Sequence, residues 1–390
     1  MPDIAPFQGL RFDPKRLNPA AAIAPPYDVI DAEMHARLLA HDPYNVVRWT
    51  LGDDPAKPYG TEEEYRPRAA IVKDWVQRGV LIRDSKPAFY SYEMSFTAPG
   101  GQRSRYRGIL VAVEVVPWSA KKILPHEEIR PKVVDDRLNL LRATRVNMGV
   151  VQLTIDGRDG RMGRLVDTAP RVPLFAGDDF LGQHHRLEAI DDARAVGQLQ
   201  ELVGPLQAIV ADGHHRYTTA IKYREETKDS IGSERALVMI GDLFQPGLQI
   251  YPTHRVLVAE DAERAHALSE HLRECLSDRD GDAWTIEWSS GESVSVKSSP
   301  DLAHDTLYRR LQGALAGQTV TVETYHDARA AEQSLRAHGQ RALLCRMPAV
   351  GKDEFWGRAA NGEIFPPKTT FFLPKIFTGI VARSLDAELA

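Results

Sequence analysis

A short segment in the middle of the chain combines residue types that can hold a phosphate group. In the segment IVADGHHRYTTA an aliphatic run is followed by Asp212, Gly213, His214, His215 and Arg216. The aliphatic run predicts a buried strand and the residues after it predict a helix. The polar residues therefore lie at a strand-to-helix turn, where the first backbone N–H groups and the positive end of the helix dipole form an anion site.

Each polar side chain of this segment has a chemical role in such a site. Gly213 allows close backbone approach or a positive φ angle, and Arg216 can contact a phosphate with two N–H groups. His214 and His215 can donate hydrogen bonds or transfer protons, and Asp212 can accept a proton or bind Mg²⁺. The structural alternative is that Asp212 only caps the helix. Zinc is a weaker alternative, because adjacent histidines rarely point at one ion.

A second polar cluster lies in the segment ILPHEEIRPKVVDDRL. It contains His126, Glu127, Glu128 and Arg130 between two prolines, ahead of a helix. Carboxylates brought close together can have one pKa raised toward neutrality, which suits a general base. A solvated, charged entry to the helix is the equally weighted alternative.

Three further segments interrupt apolar runs with polar residues. APPYDVI contains Tyr27 and Asp28, YPTHRVL contains His254 and Arg255, and PPKTTFFLPK contains Lys368 and Lys375. Each segment alone is a weak signal. Polar loops at several strand ends are expected where loops converge on a cleft, so together they favour a small-molecule site.

The pattern of elements predicts an α/β or α+β protein with mixed sheets. A short helix is predicted from Asp31 and a second helix from Thr61 to Gly79. A hairpin turns at APGGQ, and a βαβ unit surrounds the IVADGHHRYTTA segment. At 390 residues the chain is longer than a single hydrophobic core usually supports, so we expect two regions. We place the first region at residues 1–255 and a second α+β region, closing the cleft, at residues 256–390.

Composition narrows the classes of partner. The formal net charge is −5 without a polybasic block, so nucleic acid is disfavoured as a partner. The N-terminal residues lack the pattern of a signal peptide, and no run approaches the roughly 18 apolar residues of a membrane span. The only cysteines, Cys275 and Cys345, favour two free thiols in a reducing cytoplasm. A homodimer is compatible with the sequence, which leaves the oligomeric state open.

The polar segments also occur together in a known family. APPYDVI, DPYNVVR, HEEIRP with DDRL, ADGHHRYTTA, YPTHRVL and PPKTTFFLPK follow one another in this order across nearly the whole chain. As a set they resemble the family of uncharacterised conserved proteins called domain of unknown function 1015.

The DGHHR element is similar to the signature of the wider ParB/sulfiredoxin superfamily. That resemblance implies a ParB/sulfiredoxin-like mixed-sheet core with nucleotide phosphates at Gly213 to Arg216. The superfamily includes free-serine kinases, and by motif position Asp212 and Glu127, or the adjacent Glu128 in its place, would match the two acids that assist attack by the serine hydroxyl. His214 stands where sulfiredoxins need a cysteine, which argues against sulfinic-acid reduction. The helix-turn-helix domain and basic surface of the partitioning proteins are not found in the sequence.

The residues and the resemblance together lead to one hypothesis, which is phosphoryl transfer from ATP or ADP to a small hydroxyl metabolite such as free L-serine. Glu127, Asp212 and His215 are assigned to the reacting centre, with Mg²⁺ at Asp212. The phosphates are assigned to Gly213, His214, His215, Arg216 and Lys368, with Lys375 as an alternative to Lys368. The acceptor is assigned to Tyr27, Asp28, His126, Arg130, His254 and Arg255.

Two alternatives remain open at the level of sequence. One is a nucleotide-binding regulator that hydrolyses slowly or not at all. The other is a metal-dependent phosphatase or nuclease that uses the histidines and carboxylates. The sequence contains neither a P-loop motif nor a protein-kinase catalytic loop, so neither of those nucleotide-binding scaffolds applies.

Overall fold

A computed structural model describes most of the chain, in the ranges 2–54, 61–129, 131–228, 232–276, 282–288, 293–298, 311–366 and 368–385. The chain divides into two compact units. The first comprises Met1–Leu248 and Pro374–Ala390, and the second comprises Gln249–Leu373.

This division differs from the predicted one at both ends of the second region. The second unit begins at Gln249, ahead of the predicted boundary at 255, and the chain returns to the first unit at Pro374. Strand Arg383–Ser384 pairs there with strand Val146–Asn147. Pairing between segments so far apart in sequence leaves no local pattern, so the return of the chain to the first unit could not be predicted from the sequence.

The first unit contains thirteen strands and eight α-helices among its described residues. The strands are β1 (Ile4–Ala5), β2 (Leu10–Phe12), β3 (Leu81–Arg83), β4 (Phe89–Thr97), β5 (Arg103–Glu114), β6 (Ile123–Leu124), β7 (Val146–Asn147), β8 (Val151–Ile155), β9 (Val172–Asp178), β10 (His184–Ile190), β11 (Ala208–Asp212), β12 (Arg235–Asp242) and, after the second unit, β20 (Arg383–Ser384). The helices are α1 (Pro19–Ala22), α2 (Ala32–His41), α3 (Val47–Thr50), α4 (Glu62–Gln77), α5 (Pro131–Thr144), α6 (Arg161–Thr168), α7 (Ala193–Val203) and α8 (His214–Glu226).

A nine-stranded mixed sheet forms the centre of this unit. Its order is β6-β11-β8-β12-β5-β4-β10-β9, with β1 paired to β5. The predicted βαβ unit around α8 is wrong in its topology. Strand β8 lies between β11 and β12, parallel to β12 and antiparallel to β11, so β11 and β12 run in opposite directions. The local pattern indicates strand, helix and strand, but it carries no information about a third strand inserted between them.

The N-termini of two helices and the hairpin are as the sequence predicted. Asp31 caps α2 by accepting a hydrogen bond from the Met34 N–H. Thr61 and Glu64 form a reciprocal capping box at the start of α4. Strands β4 and β5 form the predicted antiparallel hairpin. These features are local in sequence, and their side-chain chemistry is sufficient to fix them.

Helix α5 packs against both α4 and α8 in the first unit. Its buried residues include a charged pair, Asp136 and Arg137, among leucines. Helix α8 also contributes buried residues to the apolar core beside the central sheet, including Tyr217 and Ile221. The loop that contains His126, Glu127 and Glu128, here called the HEE loop, leads directly into α5. The packing of α5 against α8 therefore brings the chain that follows this loop next to the helix that begins in the DGHHR element.

The second unit is a smaller α+β unit. Its strands are β13 (Gln249–Tyr251), β14 (His254–Ala259), β15 (Asp282–Trp288), β16 (Ser293–Ser298), β17 (Val320–Tyr325), β18 (Ala342–Arg346) and β19 (Phe371–Leu373). Its helices include α9 (Ala262–Leu276), α10 (Ala328–His338) and α11 (Lys352–Ala360). Five strands form one antiparallel sheet in the order β16-β15-β18-β14-β17. The predicted class, a mixed-sheet core with a second α+β region, is confirmed at this level.

Across the described ranges, none of the helices has the length and apolar character needed to span a bilayer.

Candidate functional site

Asp212 lies at the end of a strand that is buried along its whole length. All five residues of β11 are buried, and the pairing of β11 with β8 shifts between Val210 and Asp212. Such a bulge bends the strand and changes the direction in which the next side chain points. The carboxylate of Asp212 is thereby buried at the start of α8, with about a tenth of the residue exposed.

Two cations from different parts of the chain bind this carboxylate. Arg216, one turn into α8, bonds to Oδ2 through Nη2, and Lys375 bonds to Oδ1 through Nζ. Arg216 also donates through Nη1 to the carbonyl of Val150. The N-cap position of α8 is Gly213, and the Asp212 carboxylate bonds to Arg216 and Lys375, which argues against the simple helix-cap interpretation. The cluster of one acid and two bases carries a net charge of +1.

The charges of the two bases control the protonation of Asp212. Burial by itself would raise the pKa of the carboxyl, but the positive charges of Lys375 and Arg216 outweigh it and hold the pKa well below its usual range. Asp212 is therefore ionised at neutral pH and is a weak proton acceptor. This favours a role in positioning the two cations over a role as general base.

Gly213 allows the turn between β11 and α8. Its φ angle is +96°, in the left-handed region that side chains rarely adopt, and a Cβ there would lie 3.0 Å from Nε of Arg216. The first intrahelical bond runs from the Tyr217 N–H to the Gly213 carbonyl, so the amides of residues 214–216 precede the hydrogen-bonded ladder. Glycine thus lets the arginine lie against the backbone at the helix start.

We expect Gly213→Ala to lower the free energy of unfolding by about 1–3 kcal/mol, because alanine must adopt a left-handed φ and push against Arg216. The matched control is Gly197→Ala in the middle of α7, where an added Cβ meets nothing within 4 Å. That change is expected to stabilise by roughly 0.5–1 kcal/mol. Urea denaturation of both variants measures the difference. Equal effects of the same sign would contradict the role assigned to Gly213.

Two buried histidines join the HEE loop to the first residue of α8. The backbone N–H of His126 donates to Nε2 of His214 over 3.1 Å, and the two rings meet edge to face with centroids 4.5 Å apart. Burial lowers the pKa of His126 to about 4 and that of His214 well below its usual value. Both imidazoles are neutral at pH 7. Because Nε2 of His214 is engaged, this ring could reach a phosphate only through Nδ1.

The two adjacent glutamates of this loop differ in environment. Glu127 is half-buried and Glu128 is exposed. Because His126 fixes the loop to α8, Glu127 follows directly on a residue that contacts the start of the helix. Arg130, assigned to the acceptor from sequence, lies outside the described residues. His215 is half-buried, and its carbonyl accepts from the Thr219 hydroxyl.

A small cavity of about 80 Å³, partly open to solvent, lies within the first unit beside this cluster. Three of the segments singled out in the sequence contribute to its lining, through Tyr27, Arg137, and Arg216 with Thr219. Leu140 and residues 147–149 also line it. Asp28, next to Tyr27, is exposed.

A second cation cluster, which sequence reasoning did not assign to the site, adjoins the same cavity. Arg137 bonds to Asp136 through Nε over 2.7 Å, and its guanidinium lies 4.2 Å from the ring centre of Tyr27. Arg68 lies over the ring of Tyr65, whose hydroxyl donates to Asp136. Burial raises the pKa of Tyr65 to about 12, so the phenol is neutral. The sequence signal was the DDRL run, which is equally typical of an exposed helix start.

The remaining predicted site residues lie in the second unit. Arg255 is buried and donates to the carbonyls of Thr253 and Lys368, and Nδ1 of His254 accepts from the Met347 N–H. The side chain of Lys368 is exposed. Their assigned roles stay predictions. Lys375, the alternative to Lys368, is the lysine that binds Asp212 in the first unit.

Metal ligands do not cluster in the part of the chain that the structure describes. No group of three or more His, Cys, Asp or Glu side chains there is placed to hold an ion. Asp212 could give at most one carboxylate, and both of its oxygens bind cations. Mg²⁺ often uses one or two protein carboxylates and takes its other ligands from phosphates and water, so the Mg²⁺ assignment stays a prediction.

Comparison with family models shows that the chain belongs to the family described as "Protein of unknown function (DUF1015)", whose model matches residues 4–336. This confirms the family predicted from the sequence. A search of curated proteins found no significant match.

The solved structures to which the chain is similar are distant in sequence. A conserved hypothetical protein from Pyrococcus furiosus is 14% identical with a TM-score of 0.37, covering 68% of this chain and 90% of that one. SbnI from Staphylococcus aureus, truncated at its C-terminus, is 14% identical with a TM-score of 0.40, covering 69% and 85%. A free serine kinase in complex with AMP is 14% identical with a TM-score of 0.39, covering 70% and 92%.

Proposed function

We propose that the protein is a nucleotide-dependent kinase that transfers a phosphoryl group from ATP or ADP to a small hydroxyl metabolite, with free L-serine as the leading candidate. The observation that carries this proposal is the cluster at the start of α8. There a left-handed glycine, a helix N-terminus and two cations held by Asp212 surround the place where an anion would bind. Phosphoryl transfer needs mainly positioning and charge neutralisation, which such a cluster supplies.

The proposed reaction assigns separate tasks to the two acids. The acceptor oxygen forms a bond to the terminal phosphorus, the bond from that phosphorus to the bridging oxygen breaks, and ADP or AMP leaves. Glu127 takes the hydroxyl proton. Asp212 stays ionised and holds Lys375 and Arg216 near the transferred group. Bound Mg²⁺ would neutralise phosphate charge, with Asp212 as the candidate protein ligand.

The test is product formation by the purified protein. We expect ATP or ADP with Mg²⁺ and L-serine to yield a phosphomonoester, detected by ³¹P NMR, with a panel of other hydroxy amino acids defining the preference. Nucleotide binding without any phosphorylated product would reject the kinase and support the regulator. Stoichiometric zinc in the purified protein, together with phosphate release from monoesters, would instead support the phosphatase alternative.

A further inference from the structure

The side chain of Arg216 is bordered by two glycines that are far apart in sequence. At Gly213, at the start of α8, an added Cβ would lie 3.0 Å from Nε of this arginine. At Gly149, two residues before β8, an added Cβ would lie 3.0 Å from Cδ of the same side chain. Two carbon atoms in favourable contact are about 3.5–4.0 Å apart. A side chain at Gly149 would therefore push against the arginine stem.

The terminal nitrogens of Arg216 are held at the same place. Nη1 donates to the carbonyl of Val150, the residue after Gly149, and Nη2 donates to Oδ2 of Asp212. With respect to the described residues, these bonds use two of the five N–H groups of the arginine. The Nε–H group and one N–H group on each terminal nitrogen are left for a ligand.

Packing of the stem and hydrogen bonding of the tip together fix this arginine before any ligand binds. The side chain is only 10% exposed. An arginine loses rotamer freedom when it binds an anion, and one that is already held in place has less freedom to lose. The arrangement therefore favours binding of an anion at the start of α8 without rearrangement of Arg216.

Gly149 has no conformational need to be glycine. Gly213 has a left-handed φ angle, which any side chain would strain, whereas the φ angle of Gly149 lies outside that region. The close approach of the Arg216 stem is the reason that the structure offers for glycine at this position. A substitution at Gly149 thus tests the space beside the arginine separately from backbone strain.

We propose that Gly149 is a positioning residue for the phosphate site. Because it has no side chain, Arg216 can lie along the start of β8, where Val150 and Asp212 hold its guanidinium group beside the first turn of α8. The inference rests on the proposed function for the identity of the ligand, a nucleotide phosphate. It adds a residue that acts through Arg216 and lies outside the polar segments of the sequence.

Calorimetric titration with ADP and Mg²⁺ tests this role. Gly149→Val should weaken ADP binding at least about tenfold, because a displaced Arg216 loses a charge-assisted hydrogen bond to phosphate. Gly149→Ala should lie between wild type and Gly149→Val. The control is Gly163→Ala in α6, where the nearest atom to an added Cβ is 4.0 Å away, and its affinity should equal that of wild type.

Wild-type ADP affinity in folded Gly149→Val would overturn the proposal. If Gly149→Val does not fold, Gly149→Ala replaces it, and an affinity equal to that of the Gly163→Ala control would be the contradicting result.

A second background separates an effect through Arg216 from direct obstruction, since Gly149 also lines the cavity. Arg216→Ala removes the stem that a Cβ at position 149 would meet. In this background Gly149→Ala should cause no further loss of ADP affinity. A loss as large as that in the wild-type background would overturn the proposal, because the added methyl group would then exclude the ligand itself.

The same pair of substitutions can be compared without nucleotide. Gly149→Ala should shift the urea midpoint of unfolding to lower concentration when Arg216 is present. In the Arg216→Ala background it should leave the midpoint unchanged or raise it. Equal shifts in the two backgrounds would contradict the shared space and overturn the proposal, even if Arg216→Ala binds ADP too weakly to titrate.

The two proposals fail separately. ADP binding that depends on Gly149, without any phosphorylated product from serine, would reject the proposed kinase and leave the positioning role standing. Phosphorylated product from the wild type, with unchanged ADP affinity in Gly149→Val, would reject the positioning role and leave the kinase standing.

Discussion

Asp212→Asn is expected to lower the free energy of unfolding by about 3–5 kcal/mol, one of the two largest effects that the structure leads us to expect. The substitution leaves Lys375 and Arg216 facing each other in a buried site without their shared carboxylate. Removing one partner of a buried ion pair typically costs this much, because the remaining charge is uncompensated. Urea denaturation at pH 7 measures the change.

The pH dependence of this loss follows from the sign of the pKa shift. The pKa of Asp212 is lower in the folded state than in the unfolded chain, where an aspartate has a pKa of about 3.9. Its contribution to stability is therefore complete above that pH and is lost as the pH falls toward the folded value. The difference in the free energy of unfolding between wild type and Asp212→Asn should be constant from about pH 5 to 7 and should decrease below about pH 4.

The matched control is Asp135→Asn, the same chemical change at an exposed carboxylate that pairs with Lys222 over 3.0 Å. A surface pair of this kind contributes up to about 1 kcal/mol. A loss for Asp212→Asn no larger than that of the control would contradict the view that Asp212 organises the cluster.

Glu127→Gln is expected to reduce kcat for phosphoryl transfer by about 10²–10⁴-fold, the range for removal of a general base. The amide keeps the shape of the side chain and cannot take the proton of the acceptor hydroxyl. Because Glu127 is only half-buried, the free energy of unfolding should change little. Steady-state kinetics with a saturating acceptor separate kcat from KM.

Glu128→Gln provides the comparison, since it makes the same change one residue along the same loop at an exposed position. We expect kcat within a factor of about two of wild type, since surface substitutions are usually neutral. If Glu128→Gln has the large loss of kcat and Glu127→Gln does not, Glu128 is the base. If neither variant loses activity, the loop does not supply the base.

Local chemistry decided how much of the fold could be predicted. The caps at Asp31 and Thr61, the β4–β5 hairpin and the strand-to-helix turn at Gly213 all depend on residues close in sequence. The insertion of β8 between β11 and β12 and the return of Pro374–Ala390 to the first unit depend on long-range pairing, so no short pattern reports them.

In the candidate site, too, the features that are local in sequence could be predicted and the long-range contacts could not. The sequence identified the DGHHR turn and the family, and the family match over residues 4–336 confirms the latter. It did not show that Lys375 would share Asp212 with Arg216, since 163 positions separate lysine and acid. Nor did it reveal the second cation cluster, because a buried arginine such as Arg137 is indistinguishable in sequence from a solvated one on a charged helix.

The central claim is that the first turn of α8 binds the phosphates of a nucleotide. A crystal structure of the protein with ADP tests it most directly. We expect a phosphate oxygen within hydrogen-bonding distance of a backbone amide of residues 214–216, with Nζ of Lys375 or the guanidinium of Arg216 also in contact. Phosphates bound elsewhere, with this turn making no contact to them, would contradict the claim.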